Sequence, residues 1–164
     1  MGEEAAVAAG MPFRGPLPNG ATGFPRRAAG ALPSVAPGEF RAVLHHAARA
    51  AGGRLLATTE RVHPLTYHHA LISDRQGDHT VLGHCHLRWI AFADGVAEVH
   101  REEFAAPPSW AAAFGHGGFA VLSRETLRLD LDRAGRDALT PFEWREARYH
   151  GTRTLGGAVF NRWD

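Results

Sequence analysis

The segment 66–92 constrains the fold most, because it has the residue pattern of a β-hairpin. Residues 65–73 and 79–92 are rich in β-branched, aromatic and aliphatic side chains. The five residues between them are polar or small, and Gly77 is the one most able to adopt the positive φ of a tight turn. The sequence therefore predicts two antiparallel strands joined by a short turn.

The register of this hairpin decides which histidines meet across it. A two-residue turn ending at Gly77 places His69 opposite His84. The same register places His68 opposite Cys85. A five-residue loop would instead place His68 beside His84, so the sequence leaves both registers open.

Alternation with a period of two separates the hairpin into two faces. One face is the more apolar and is predicted to be buried; it carries Ala70, Ile72, Val81, Gly83, Cys85, Leu87 and Trp89, with His68 as its one imidazole. The other face carries Tyr67, His69, Leu71, Leu82, His84, His86 and Arg88. We expect this second face to be the wetter one.

Three imidazoles on the second face form a candidate metal site. His84 and His86 are two residues apart on one strand, and His69 lies across the ladder. Together they would offer three nitrogen ligands and leave a fourth position for water, which suits zinc, iron or copper. Tyr67 and Arg88 would then orient a substrate. The alternative is that a chain with 11 histidines places several on strands by chance, with their rings in solvent.

Cys85 and His68 form a candidate catalytic pair. A thiol needs an adjacent base to become a thiolate nucleophile at neutral pH, and His68 is the imidazole on the same face. The sequence identifies no Asn or Asp that would orient the ring. The alternative is that Cys85 is a small buried hydrophobic residue, the commonest fate of a single cysteine.

Apolar residues at helical spacing follow residue 36. The stripe recurs at i, i+3, i+4, i+7, i+8 and i+11 and consists of Phe40, Val43, Leu44, Ala47, Ala48 and Ala51. It predicts an amphipathic helix of about four turns, with Pro37 in its first turn and Gly52 after its end. Thr154 is predicted to cap a further helix at the C-terminus.

Thr140 and Glu143 have the spacing of a capping box, which predicts the start of a helix at residue 141. The end of that helix is left open, because Ala147 and Tyr149 fit a helix or a strand equally well.

Further strand patterns occur at residues 54–62, 96–104 and 119–122, and residues 127–131 alternate as an edge strand would. Consecutive strands with short turns form an antiparallel meander. The predicted fold class is α+β, with an antiparallel meander sheet of about five strands. We expect the N-terminal amphipathic helix and the C-terminal helix to cover one face of it.

Two regions are predicted along the chain. Residues 1–36 are rich in Pro, Gly and Ala and hold few large apolar side chains. Such a segment buries too little surface to offset its ordering entropy, so we expect a mostly disordered extension. Residues 37–164 are predicted to form a single α+β domain.

Composition narrows the classes of function. All 18 basic residues are arginine, yet they are balanced by 17 acidic residues, whereas a phosphate-binding surface usually needs a clear positive excess. We therefore predict no nucleic-acid partner. No apolar run is long enough to span a membrane, and no signal peptide is recognised. One cysteine excludes an internal disulfide, and we expect a cytoplasmic protein.

Two functions follow from these observations. The first is a small soluble non-catalytic binding or accessory module, such as an immunity or regulatory protein, whose exposed His, Trp and Arg side chains engage a protein partner. The second is a small metal-dependent enzyme built on the three-histidine site. The first is favoured because no catalytic constellation is recognised.

Overall fold

The computed structural model describes residues 15–26, 30–95 and 102–163. A five-stranded sheet with its strands in chain order forms the centre. The strands are β1 (Arg54–Thr59), β2 (Tyr67–Asp74), β3 (Gly77–His84), β4 (Trp89–Ala93) and β5 (Ala120–Val121). The first four pair antiparallel, whereas β5 pairs parallel to β4. The α+β class is thus confirmed, and the fully antiparallel meander is wrong at its last strand.

The helices are α1 (Pro37–Ala50), α2 (Arg124–Leu127), α3 (Pro141–His150) and α4 (Leu155–Val159), with 3-10 helices at Ser109–Gly117, Leu131–Ala134 and Arg136–Ala138. The helix expected from the apolar stripe is confirmed as α1. The crossover between β4 and β5 includes the 3-10 helix Ser109–Gly117, which gives the length that a parallel neighbour requires. Among the described helices, none is both long and apolar enough to cross a membrane.

The turn of the hairpin lies one residue earlier than predicted. Asp74 pairs with Gly77, so Arg75 and Gln76 form the turn. The Asp74 carboxylate accepts a hydrogen bond from the backbone N–H of Gln76 at 2.8 Å, which stabilises this turn. The register therefore shifts by two residues, and this even shift keeps the predicted faces of β2 and β3 as far as His84.

The strand expected at 79–92 is broken after His84, because residues 85–88 lie between β3 and β4. Leu87 and Trp89 consequently lie in the same core as Tyr67 and Leu82 and not on the face predicted for them.

Buried side chains cover both faces of the sheet. The first core contains Val35, Phe40, Val43, Leu44, Ala70, Ile72, Val81, Phe92 and Phe114. The second contains Leu17, Tyr67, Leu82, Trp89, Phe104, Leu155, Val159 and Phe160. Alternate residues of β2 and β3 belong to different cores, so α1 and α4 lie on opposite faces. The expectation of one covered face is corrected: the sheet is the middle of three layers.

Part of the N-terminal segment packs against the domain. Leu17, Ala21, Thr22 and Val35 are buried. The backbone N–H of Leu17 donates to the carbonyl of Ala138 at 3.1 Å. The two cores therefore include residues before position 37. The expectation for residues 1–14 and 27–29 lies outside the described residues.

Helix α2 overlaps the edge strand predicted at residues 127–131 only at Leu127, and within the rest of that range Asp130 forms an isolated antiparallel bridge with Thr154. The hydroxyl of Ser123 accepts a hydrogen bond from the N–H of Thr126 at 3.1 Å. This cap favours a helical turn over the strand that the alternation of leucines indicated. Residues 96–101 of the strand expected at 96–104 lie outside the described residues.

Candidate functional site

His84 is fully buried, and backbone groups contact both of its ring nitrogens. Nε2 lies 2.9 Å from the carbonyl oxygen of Ala21 and 3.1 Å from that of Val159. Nδ1 accepts from the N–H groups of His86 at 3.1 Å and Leu87 at 3.2 Å. Because carbonyls only accept and N–H groups only donate, the ring is neutral, with its hydrogen on Nε2.

Burial is the main reason why His84 stays neutral. Removal of the ring from water lowers its pKa from 6.5 to about 3, and the carbonyl contacts only partly oppose this. A metal needs an unoccupied nitrogen lone pair, and that of Nδ1 already accepts two backbone hydrogen bonds. His84 therefore stabilises the fold and is unsuited to be a ligand.

The two other predicted metal ligands do not change this conclusion. His69 lies opposite Leu82 on the ladder, and Nδ1 of His86 lies 2.8 Å from the carbonyl of Pro33. Within residues 15–26, 30–95 and 102–163, no group of three His, Cys, Asp or Glu side chains could hold a metal ion. The geometry thus does not fit a zinc, iron or copper site at His69, His84 and His86.

The side chains expected to orient a substrate lie on different faces of the sheet. Tyr67 is buried in the second core, with its ring 6.2 Å from that of Phe160. Arg88 forms an ion pair with Glu39 of α1 at 2.8 Å and donates to the carbonyl of Gly117 at 3.0 Å. Tyr67 and Arg88 therefore do not form one binding site.

Cys85 and His68 line the same cavity, which has a volume of about 350 Å³. They are not opposite each other, because His68 pairs with Gly83 and Cys85 follows β3. The N–H of Cys85 donates to the carbonyl of Thr66 at 2.8 Å, which extends the ladder by one contact. The structure thus brings the predicted pair to one cavity by a register that the sequence did not predict.

The protonation states of this pair do not suit nucleophilic catalysis. Nδ1 of His68 accepts the backbone N–H of Arg61 at 2.9 Å, so the hydrogen of the neutral ring is on Nε2 and no lone pair is left to take a thiol proton. Burial lowers the pKa of His68 and raises the pKa of Cys85. Both groups are neutral at pH 7, which favours binding over catalysis.

A second cleft, of about 620 Å³, lies on the outer side of α3 and has basic and aromatic walls. We call this surface the arginine face. Two of the exposed large hydrophobic side chains lie on the same helix, namely Phe142, 43% exposed, and Tyr149, 84% exposed. The arginine face consists of Arg136, Phe142, Trp144, Arg145, Arg148 and Tyr149.

Aromatic rings support the arginines of this face. The guanidinium carbon of Arg145 lies 5.9 Å from the centre of the Phe142 ring, and that of Arg148 lies 5.8 Å from the centre of the Trp144 ring. The indole N–H of Trp144 donates to the carbonyl of Arg136 at 2.9 Å. Stacking restricts the guanidinium groups and leaves their N–H edges available to a ligand.

The guanidinium groups of Arg136, Arg145 and Arg148 form no ion pair with any described residue. Asp132 and Asp137 also line the cleft but lie beyond ion-pair distance of them. The cleft therefore holds more positive than negative charge.

A buried carboxylate anchors the inner side of α3. Glu143 is 2% exposed and accepts from the N–H of Thr140 at 2.8 Å and the guanidinium of Arg26 at 3.0 Å. The hydroxyl of Thr22 also donates to it. Thr22 and Arg26 of the N-terminal segment thus hold α3 by polar contacts.

The sequence did not predict the arginine face. The signal that could have found it is the spacing of Trp144, Arg145 and Arg148, which share one side of a helix only if that helix runs past Ala147. Comparisons of the chain with known protein families, curated proteins and solved structures gave no match. The function is therefore inferred from the geometry of the described residues.

Proposed function

We propose that this protein is a non-catalytic binding module whose arginine face holds an acidic segment of a partner protein. The observation that carries this proposal is that Arg145 and Arg148 line one 620 Å³ cleft and are each stacked on an aromatic ring. Neither arginine has an acidic partner among the described residues. An immunity or regulatory protein that covers an acidic target would need such a surface.

The chemistry of this face suits carboxylates. A guanidinium group binds a carboxylate through two parallel hydrogen bonds, and stacking on Phe142 or Trp144 reduces the entropy lost on binding. Arginine, tryptophan and tyrosine are also the residues most enriched among those that dominate binding energy in protein interfaces. The exposed ring of Tyr149 extends the contact beyond the cleft.

A protein partner fits better than a nucleic acid. The chain has a net charge of only +1, and Asp132 and Asp137 in the cleft would repel a continuous phosphate backbone. A short acidic peptide can place its carboxylates at the arginines and avoid the aspartates.

The test compares three fluorescein-labelled probes by fluorescence anisotropy: octaglutamate, octaglutamine and single-stranded DNA of eight nucleotides. We expect octaglutamate to bind more tightly than either of the others. An Arg145→Glu/Arg148→Glu protein should bind octaglutamate about tenfold more weakly or worse, because two charge-assisted contacts become repulsive.

The matched control is Arg41→Glu/Arg75→Glu, which changes the net charge equally at exposed positions outside the cleft. It should retain at least half of the affinity for octaglutamate. Equal loss in the two double variants would show non-specific attraction, and tighter binding of DNA would replace the protein partner by a nucleic acid. Either result contradicts the proposal.

A further inference from the structure

The cavity of about 350 Å³ that Cys85 and His68 line, here called the His68 cavity, has a neutral floor and a charged rim. Its floor includes the buried residues Val35, His68 and Cys85. Its rim includes the exposed residues Glu60 and Arg61. Polar side chains, among them Ser34, Glu60, Arg61 and His68, make up most of the lining, and Val35 and Pro37 are its aliphatic part. Convergent polar groups of this kind can fix the orientation of a small organic molecule.

His68 carries a buried hydrogen-bond donor that no described residue satisfies. The side chain is 4% exposed, and its ring is stacked 5.9 Å from that of Phe40. Because Nδ1 accepts from Arg61, the hydrogen is on Nε2, and this atom has no partner in the described structure. A buried donor is costly without an acceptor. An acceptor supplied by a ligand in the cavity would remove that cost.

The rim carries one positive and one negative charge, those of Arg61 and Glu60. One terminal nitrogen of Arg61 donates to the carbonyl of Leu65 at 3.1 Å, which positions the guanidinium while its other N–H groups remain available. His86, which also lines the cavity, contacts the carbonyl of Pro33 through Nδ1. Glu60 is the one carboxylate on the described lining, and it lies at the exposed rim.

We propose that the His68 cavity binds a small carboxylic acid, with one carboxylate oxygen accepting from Nε2–H of His68 and its charge offset by Arg61. The cavity volume admits a ligand of roughly ten non-hydrogen atoms, if each atom takes about 30 Å³. Val35 and Cys85 would contact the apolar part of that ligand. This site is separate from the arginine face and does not depend on the function proposed for it.

The probes are benzoate, benzamide and benzylamine, which share a ring and differ in charge. Each is titrated into the full-length chain labelled with nitrogen-15 at histidine, and the ring signals are followed by NMR. We expect benzoate to shift the Nε2 signal of His68 and to slow alkylation of Cys85 by N-ethylmaleimide at least fivefold. Benzamide should bind at least tenfold more weakly, and benzylamine should not bind.

Two variants test the assigned contacts. A thermal melt of each variant, compared with that of wild type, shows whether it is folded. His68→Phe removes the donor and keeps an aromatic ring, and Arg61→Gln removes the charge at an exposed position. Both should lose protection of Cys85 by benzoate, whereas His45→Gln, at an exposed position on α1, should keep it.

Three outcomes would overturn the proposal. If no probe shifts His68, the donor is satisfied by water alone. If benzamide binds as tightly as benzoate, the site does not select a carboxylate. If a folded Arg61→Gln protein binds benzoate as wild type does, the charge assignment is wrong.

Discussion

Nε2 of His84 lies 2.9 Å from the carbonyl oxygen of Ala21, and this contact joins the central hairpin to the N-terminal segment. The same nitrogen also contacts the carbonyl of Val159 at the end of α4. One neutral imidazole thus connects three parts of the chain that are distant in sequence. Its charge state is therefore a determinant of stability.

The protein should lose stability in mild acid because of His84. Its pKa is lowered from 6.5 in the unfolded chain to about 3 in the folded protein, so between these values the unfolded state binds one more proton. The free energy of unfolding should fall as pH decreases from about 6.5 to about 3, by up to about 1.4 kcal/mol per pH unit from this residue. Urea titrations at several pH values measure the slope.

The variant His84→Asn isolates this contribution. Its side-chain oxygen can accept in place of Nδ1 and does not titrate, so the slope between pH 6.5 and 3 should decrease although overall stability also falls. His45→Asn, at an exposed position of α1, should leave the slope unchanged. An equal slope in His84→Asn and wild type would show that this imidazole does not control the acid response.

Gly83 should not tolerate a side chain. A β-carbon at this position would lie 2.5 Å from the Phe40 ring, which is buried between α1 and the sheet. Gly83→Ala should lower the free energy of unfolding by about 1–3 kcal/mol through overpacking, and Phe40→Leu in the same chain should restore part of it.

Gly115 provides the matched control for Gly83. No atom lies within 4 Å of a β-carbon built there, so Gly115→Ala should change the free energy of unfolding by less than about 0.5 kcal/mol. Equal effects at the two glycines, measured by urea denaturation, would contradict the close approach of Phe40 to β3.

Local rules predicted the hairpin and the faces of its residues. Alternation assigned Ala70 and Tyr67 to opposite faces, and the two residues lie in different cores. The rule failed beyond His84, where the chain leaves β3 and Trp89 joins the core of Tyr67. The same rule could not show that both faces are buried. The second face is covered by Leu17 and Phe160, which lie far away in sequence, and no local pattern in the hairpin indicates them.

The buried N-terminal segment should contribute measurably to stability. Leu17 is 2% exposed in the second core, so Leu17→Ala should lower the free energy of unfolding by about 2–4 kcal/mol, the usual cost of such a cavity. Leu56→Ala, at a leucine that is 45% exposed, should cost less than about 1 kcal/mol. Thermal and urea unfolding measure both changes. A Leu17→Ala protein as stable as wild type would mean that the segment does not pack as described.

The candidate sites show where sequence reasoning reaches its limit. The sequence prediction grouped Cys85 with His68, and the structure brings both side chains to one cavity, although Cys85 lies after the end of β3. The tautomer of His68 depends on the N–H of Arg61, and the contacts of α3 with the N-terminal segment depend on the buried carboxylate of Glu143, which accepts from Thr22 and Arg26. No pattern of apolar or polar residues along the sequence indicates these contacts.

The hairpin turn should respond to pH through Asp74. The indole N–H of Trp110 donates to its carboxylate at 2.7 Å and, with contacts from His79 and Gln76, lowers the pKa of Asp74. Because the folded pKa is below that of the unfolded chain, this stabilisation is complete above the unfolded pKa and is lost as pH falls through the folded one.

Trp110→Phe removes the strongest of these contacts and keeps most of the packing between its ring and Phe92. We expect the pKa of Asp74, measured from the carboxyl carbon shift in a pH titration by NMR, to rise towards its ordinary value. Trp144→Phe removes an indole N–H that donates to Arg136 instead, so it should leave the pKa of Asp74 unchanged. If Trp110→Phe has no more effect than Trp144→Phe, the turn is not held by the indole, and the contacts of Asp74 with His79 and Gln76 must hold it.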